Sequence, residues 1–188
     1  MANVQQVITD TAPVYGYIKG TAKWTKVLEV DDYGKYSINL YPEQEQLDKL
    51  LSELNIIQDA AKEEAESKGK KVVLVADILK EDNEGKSFLQ FSLPELKGDG
   101  TPNKVDIYDV YGKKQEGWDK LIGNGSLVKV KYMFKPYYMA STKTVGLSKR
   151  FFALQIIDLV EYGGGDSGFG DETGGDTPFD TDNNNEDF

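Results

Sequence analysis

The sequence predicts a mainly β body with one helix and a disordered acidic end, on three observations. Short runs of β-forming residues, separated by Gly, Asn and Asp turns, recur through most of the chain. One stretch, 43–68, switches to helical periodicity. Residues 163–188 hold eight Asp or Glu and seven Gly but no Lys or Arg, a composition with too little apolar surface to fold. The expected organisation is a folded domain over 1–162 and a Gly-rich acidic tail over 163–188. The formal charge of −10 is divided in the same way, because the tail supplies −8 and the body holds 24 acids against 22 bases. Such asymmetry marks an interaction tail.

Residues 1–13 read as a loose lead-in bounded by Pro13. The run Tyr15 to Val30 is rich in aromatic and β-branched residues and reads as a long first strand, with Gly20 as its bulge or kink. Asp31 to Gly34 form a turn. Across 35–41, Tyr36, Ile38 and Leu40 alternate with polar residues, completing a hairpin. Pro42 then opens the helix. Leu47, Leu50, Leu51, Leu54, Ile57 and Ala61 recur at spacings of three and four, with Glu43 and Glu45 at the start and Lys68, Gly69, Lys70 and Lys71 at the end.

Strands are expected again at 72–78 and 87–93, around an EDNEGK turn at 81–86. A loop at 97–103 leads to a strand beginning at Lys104, and Trp118 to Ile122 read as a short segment. After the GNGS turn at 123–126, Val128, Val130, Tyr132 and Phe134 share one face of a strand, so they belong to the core. Residues 136–148 read as a loop, and the last strand starts at Lys149. A long first strand, an inserted helix and a final strand before a tail suit an OB-fold-like five-stranded barrel with extra strands. A β-sandwich with a covering helix is the alternative.

Several chemistries are excluded or left without a motif. With no cysteine and no histidine, the chain has no disulfide framework, no thiolate and no imidazole base. Gly165-Asp166-Ser167-Gly168 matches a serine-protease motif, but nothing could accept the serine proton. The segment from Asp180 starts like a calcium loop, yet Asn185 stands where glycine is required. No signal-like leader and no apolar run of about 20 residues is present. A non-enzymatic cytoplasmic protein with no cofactor, no metal and no membrane contact is expected.

Two ingredients nevertheless recur together. Lysines and an arginine alternate with aromatic rings, as a surface gripping unpaired nucleic acid requires: cations for phosphates, rings to stack on bases. Tyr17, Trp24, Tyr111 and Trp118 are the expected stacking platforms. Lys19, Lys23, Lys26, Lys113, Lys129, Lys131, Lys135, Lys143 and Arg150 are the expected phosphate contacts. The acidic tail would compete with nucleic acid for such a groove, its tether presenting it at roughly millimolar effective concentration. Phe188, beside Glu186 and Asp187, suits capture by a basic-rimmed pocket on a partner protein.

In four features the chain resembles the single-stranded DNA-binding proteins of short-tailed bacteriophages. These are the strand-rich body, the helix 43–68 after the first hairpin, the segment GNGSLVKVKYMFKPYY at 123–138, and the acidic tail closing on NEDF. The resemblance implies an OB fold, sequence-independent single-stranded DNA binding in phage replication, recombination and repair, and location in the host cytoplasm. It further implies that Glu186, Asp187 and Phe188 contact replication proteins such as polymerase and helicase/primase; a homodimer is also admitted. The glycine-diluted acids depart from the family's denser tails. Two rivals stand beside this reading: an acidic, DNA-mimicking protein-interaction module, and a nuclease using carboxylate-bound metal.

Overall fold

The computed structural model describes residues 5–7 and 10–161. In chain order they form strands β1 (Gln5–Val7), β2 (Val14–Lys26) and β3 (Lys35–Pro42), then helix α1 (Gln44–Ser67). The short strands β4 (Leu74–Val75) and β5 (Lys80–Glu81) follow, then β6 (Ser87–Pro94) and β7 (Asp106–Tyr108). Two long strands close the fold, β8 (Leu127–Met139) and β9 (Thr144–Asp158).

The barrel closes because β2 serves two neighbours. Its first half pairs with β8, from Val14↔Phe134 to Thr21↔Leu127, and its second half pairs with β3, from Gly20↔Pro42 to Lys26↔Ser37. β3 pairs with β6, β6 runs parallel to β9, and β9 returns along β8. The ring β2–β3–β6–β9–β8 is therefore complete, and closure removes its free edges. Gly20 stands at the corner, partnered on both sides. A Cβ there would lie 2.6 Å from the Tyr41 carbonyl oxygen, so the position needs a residue without one. β1 extends β8, β4 and β7 run parallel to β9, and β5 pairs with β6.

Inward-facing residues of every barrel strand form one core: Ile18, Ile38, Leu40, Leu89, Phe91, Val128, Val130, Phe134, Phe151 and Leu154 among them. Tyr132 joins Phe91 and Phe134, with ring centroids 4.9–6.2 Å apart. Leu47, Leu50 and Leu54 of α1 enter the same core. Farther along the helix, Ala61 and Ala65 pack on Tyr138 and Val145. Fully burying one such leucine stabilises the fold by about 1.5–3 kcal/mol. That is what fixes a helix whose N-cap position, Glu43, makes no side-chain capping bond.

The structure departs from the sequence reading in five places. The first strand ends at Lys26 rather than Val30, because its pairing shifts register between Lys23 and Lys26. That shift is the bulge; Gly20 is instead the barrel corner. The run 72–78 contributes only Leu74–Val75, although Val73 and Ala76 still donate to the carbonyls of Lys143 and Val145, each at 2.8 Å. Gln5–Val7 pair with β8 instead of forming a loose lead-in.

The fifth departure is the largest. Residues 136–148 are mostly strand, closing a hairpin around 140–143. Pro136 falls between the β2 ladder, which ends at Phe134, and the β1 ladder, which starts at Tyr137. Its missing N–H therefore costs no bond to either strand. Next to it, Tyr137 pairs with Gly146, whose missing side chain leaves room for the Tyr137 hydroxyl.

Candidate nucleic-acid interface

Residues directly opposed in paired strands point to the same side, so the register alone builds the outer face. Three rows cross it. The first runs Lys19 (β2), Lys129 (β8), Gln155 (β9), Tyr108 (β7). The second runs Tyr17, Lys131, Ala153, Asp106, and the third runs Tyr15, Met133, Arg150. Rings and cations thus lie side by side on this face, two tyrosines followed by a lysine along β2 and lysines or an arginine in each row across the strands. Tyr15 and Tyr17 are 64% and 65% exposed, enough to present a ring face to a ligand.

The rows enclose a depression of about 490 Å³ lined by Tyr17, Lys129, Lys131, Tyr108, Phe152 and Ala153, with Asp106, Gly112 and Gln155 completing it. Ala153 makes the floor low, since a larger side chain at the centre of its row would fill the space. Phe152 arrives there through a bulge. Tyr132 pairs with Phe151 and Lys131 with Ala153, which leaves Phe152 as the extra residue. Gln155 donates its amide N–H groups to the carbonyls of Asp109 and Val110, at 3.2 and 3.1 Å. That bond seats the 109–113 turn beside the depression. The Asp109 carboxylate accepts from the backbone N–H of Tyr111 and of Lys113, and the Tyr111 ring is left 92% exposed.

Among the residues expected from sequence, Tyr17, Lys19, Lys129, Lys131 and Arg150 thus share one face, with Tyr111 and Lys113 on the adjoining turn. Trp24 and Lys26 lie further along, at the β2 bulge. Trp24 has φ of 52°, a conformation costly for a large side chain. Its backbone N–H donates to Asn124 Oδ1 at 2.8 Å, and its ring is 65% exposed beside a cavity of about 480 Å³ that Leu28, Leu121 and Ile122 help to line.

Other expected residues sit apart. Lys23 lies over the Tyr41 ring, 4.6 Å from its centroid, and Lys86 approaches the same ring at 5.3 Å. Tyr41 packs on Phe88 and donates its hydroxyl to Asp82 at 3.0 Å. Burial, with help from Asp82, holds that phenol above its usual pKa. Trp118 is half-buried against the core and donates its indole N–H to the Lys120 carbonyl at 2.6 Å. Lys135 pairs with Ser148 beyond Met133. Lys143 is in the hairpin tip with φ of 53°, roughly 30 Å along β8 from Lys129. Glu186, Asp187 and Phe188 lie outside the described residues.

Sequence reasoning did not select Asp106, Tyr108, Phe152 or Gln155. Tyr15 and Tyr108 stand among the basic–aromatic clusters, so that signal was present for both. Phe152 and Gln155 fall in the run that reads as the last strand, and the bulge there brings Phe152, still partly packed against the core, to the rim of the depression. Burial, with the nearby charge of Lys80, lowers the pKa of Lys149. Among the described residues no group of three or more acidic side chains is arranged to hold a metal. No helix there is long and apolar enough to cross a membrane.

A closed five-stranded barrel in which the third and fifth strands run parallel, while all the other neighbours are antiparallel, defines the OB class. Two solved structures share the arrangement. The single-stranded DNA binding protein gp2.5 encoded by bacteriophage T7 aligns with 88% of this chain and 100% of its own, with TM-score 0.64 and 21% identity. The single-stranded DNA-binding protein of bacteriophage Enc34 aligns with 88% of this chain and 92% of its own, with TM-score 0.55 and 12% identity. At these identities the property held in common is the fold. No protein-family model matches the chain, and no curated protein matches its sequence.

Proposed function

We propose that this chain binds single-stranded DNA without a sequence requirement, as a non-catalytic protein of phage replication, recombination and repair. One observation carries the reading: exposed Tyr15 and Tyr17 continue into Lys19 on β2, opposite Lys131 and Lys129 on β8. Stacking rings and phosphate-pairing cations thereby share one surface. Stacking contributes about 1–3 kcal/mol per base and tolerates any base. The fold supports the reading, since the two solved structures compared above are described as single-stranded DNA-binding proteins. In the same proposal the acidic segment 163–188 competes with DNA for this face. Its residues Glu186, Asp187 and Phe188 contact polymerase and helicase/primase.

Fluorescence titration with poly-dT and with duplex DNA at several salt concentrations tests the proposal, with exposed Trp24 as a probe. Lys19, Lys129, Lys131 and Arg150 supply four cations, so log K should fall against log salt with a slope of about −3 for single strands. Preference for poly-dT with such a slope is the expected result. No response to either polymer, with or without residues 163–188, would overturn it in favour of a protein-interaction module.

A further inference from the structure

The depression between β2 and β7 is built of more than cations and rings. Facing Lys131 across Ala153 stands a carboxylate, Asp106, with its side chain 35% exposed. An acid is an odd component for a surface that only attracts phosphate, because it repels the backbone it should bind. Lys114 pairs with Asp106 Oδ1 at 3.0 Å and divides its charge with Glu116 at 3.6 Å. The ion pair limits that repulsion. Gln155 donates through its nitrogen to two backbone carbonyls, which leaves the amide oxygen as the end of the group open to a donor. The depression therefore presents two acceptors, between the rings of Tyr17, Tyr108 and Phe152.

We infer that this depression seats one unpaired base of the bound strand and favours bases carrying an exocyclic amino group over thymine, with Asp106 as the specificity-determining residue. The inference rests on the single-strand reading above. Cytosine offers an N4 amino donor and adenine an N6 amino donor, whereas thymine offers the O4 acceptor at the corresponding edge. A carboxylate accepts from the first two and repels the third. An asparagine at the same position turns its amide to donate or accept as required, so it abolishes the choice without removing the pocket. The volume, about 490 Å³, lies within the range of roughly 300–1,000 Å³ found for small-molecule sites. The other stations of the face remain indifferent to the base, so the preference is modest.

The test compares oligo-dC with oligo-dT of equal length, titrated against the full chain at one fixed salt concentration. The expected result is roughly three- to tenfold tighter binding of oligo-dC, the reach of one charge-assisted hydrogen bond in a partly solvated site. Asp106→Asn should bring the ratio close to one, chiefly by loss of oligo-dC affinity. Lys114→Gln breaks the same ion pair but keeps the carboxylate, and should preserve or widen the preference for oligo-dC. If Asp106 merely holds the fold, both variants shift the ratio alike, and the inference is wrong. Equal affinity of the unaltered chain for both oligomers also overturns it and leaves the single-strand reading standing. Binding of neither oligomer overturns the reading itself.

Discussion

Glu64 shows how one side chain can hold a segment in place. It sits on the last turns of α1 with its side chain only 5% exposed. Its carboxylate accepts from the backbone N–H groups of Asp10 and Thr11, at 3.0 and 2.7 Å, and from Lys68 at 2.7 Å. Burial alone would raise its pKa; the Lys68 and backbone hydrogen bonds outweigh that effect and lower it from 4.5 to about 2. The clasp fixes the approach to Val14, and so the end of β2 that carries Tyr15. A depressed folded-state pKa stabilises the fold fully above the unfolded value, and the contribution fades as pH falls from about 4.5 towards 2. Glu64→Gln should therefore cost roughly 1–3 kcal/mol at neutral pH. Melting curves at pH 7, 4.5 and 3 should show the two proteins converging as the pH drops. A constant difference in Tm across that range would mean that the carboxylate charge contributes nothing.

At the scale of the element, the β2 bulge sets stability against binding. Trp24 adopts a left-handed conformation that costs a non-glycine residue about 1–2 kcal/mol, and its exposed ring recovers little by packing. Strain of this kind persists where the geometry is useful. Trp24→Gly removes the strain but adds backbone freedom to the unfolded chain. Its stability should be unchanged or higher by up to about 1 kcal/mol. Affinity for single strands should drop about five- to 100-fold, the worth of one stacking platform. Denaturant unfolding and poly-dT titration of the same preparation test both halves; an unaltered affinity would remove Trp24 from the interface. The neighbouring elements also show what a sequence can disclose. Alternation at Tyr36, Ile38 and Leu40 and the helical spacing from Leu47 to Ala61 report burial directly, so β3 and α1 were legible. The strand across Pro136 was not, because proline and glycine read as loop punctuation. Their tolerance depends on a gap between two partner strands that no local pattern records.

For the whole molecule, charge is arranged on two levels, and composition reveals only one of them. The excess of acids over 163–188 is plain from composition. The basic face is not, because the described body is nearly balanced in charge and its lysines are scattered along the chain. Closure of the barrel is what brings Lys19 beside Lys129 and Arg150 beside Met133. The same closure carries Lys143 away to a hairpin tip. Chain order names the kinds of residue this face carries, and barrel closure decides which of them stand together. These two levels meet at Glu161, where the described chain ends beside Ile122 and pairs with Lys120 at 2.7 Å. On the proposed reading, the eight acids of 163–188, joined to the barrel at that point, compete with DNA phosphates for the same cations at roughly millimolar effective concentration. Removing residues 163–188 should therefore tighten binding of poly-dT at low salt. The gain should shrink as the screening length falls from about 10 Å at 0.1 M to about 3 Å at 1 M, since both the competitor and the DNA act through screened charge. Equal affinities of the full and shortened chains at 50 mM salt would separate the acidic segment from the groove and leave it only the role of contacting partner proteins.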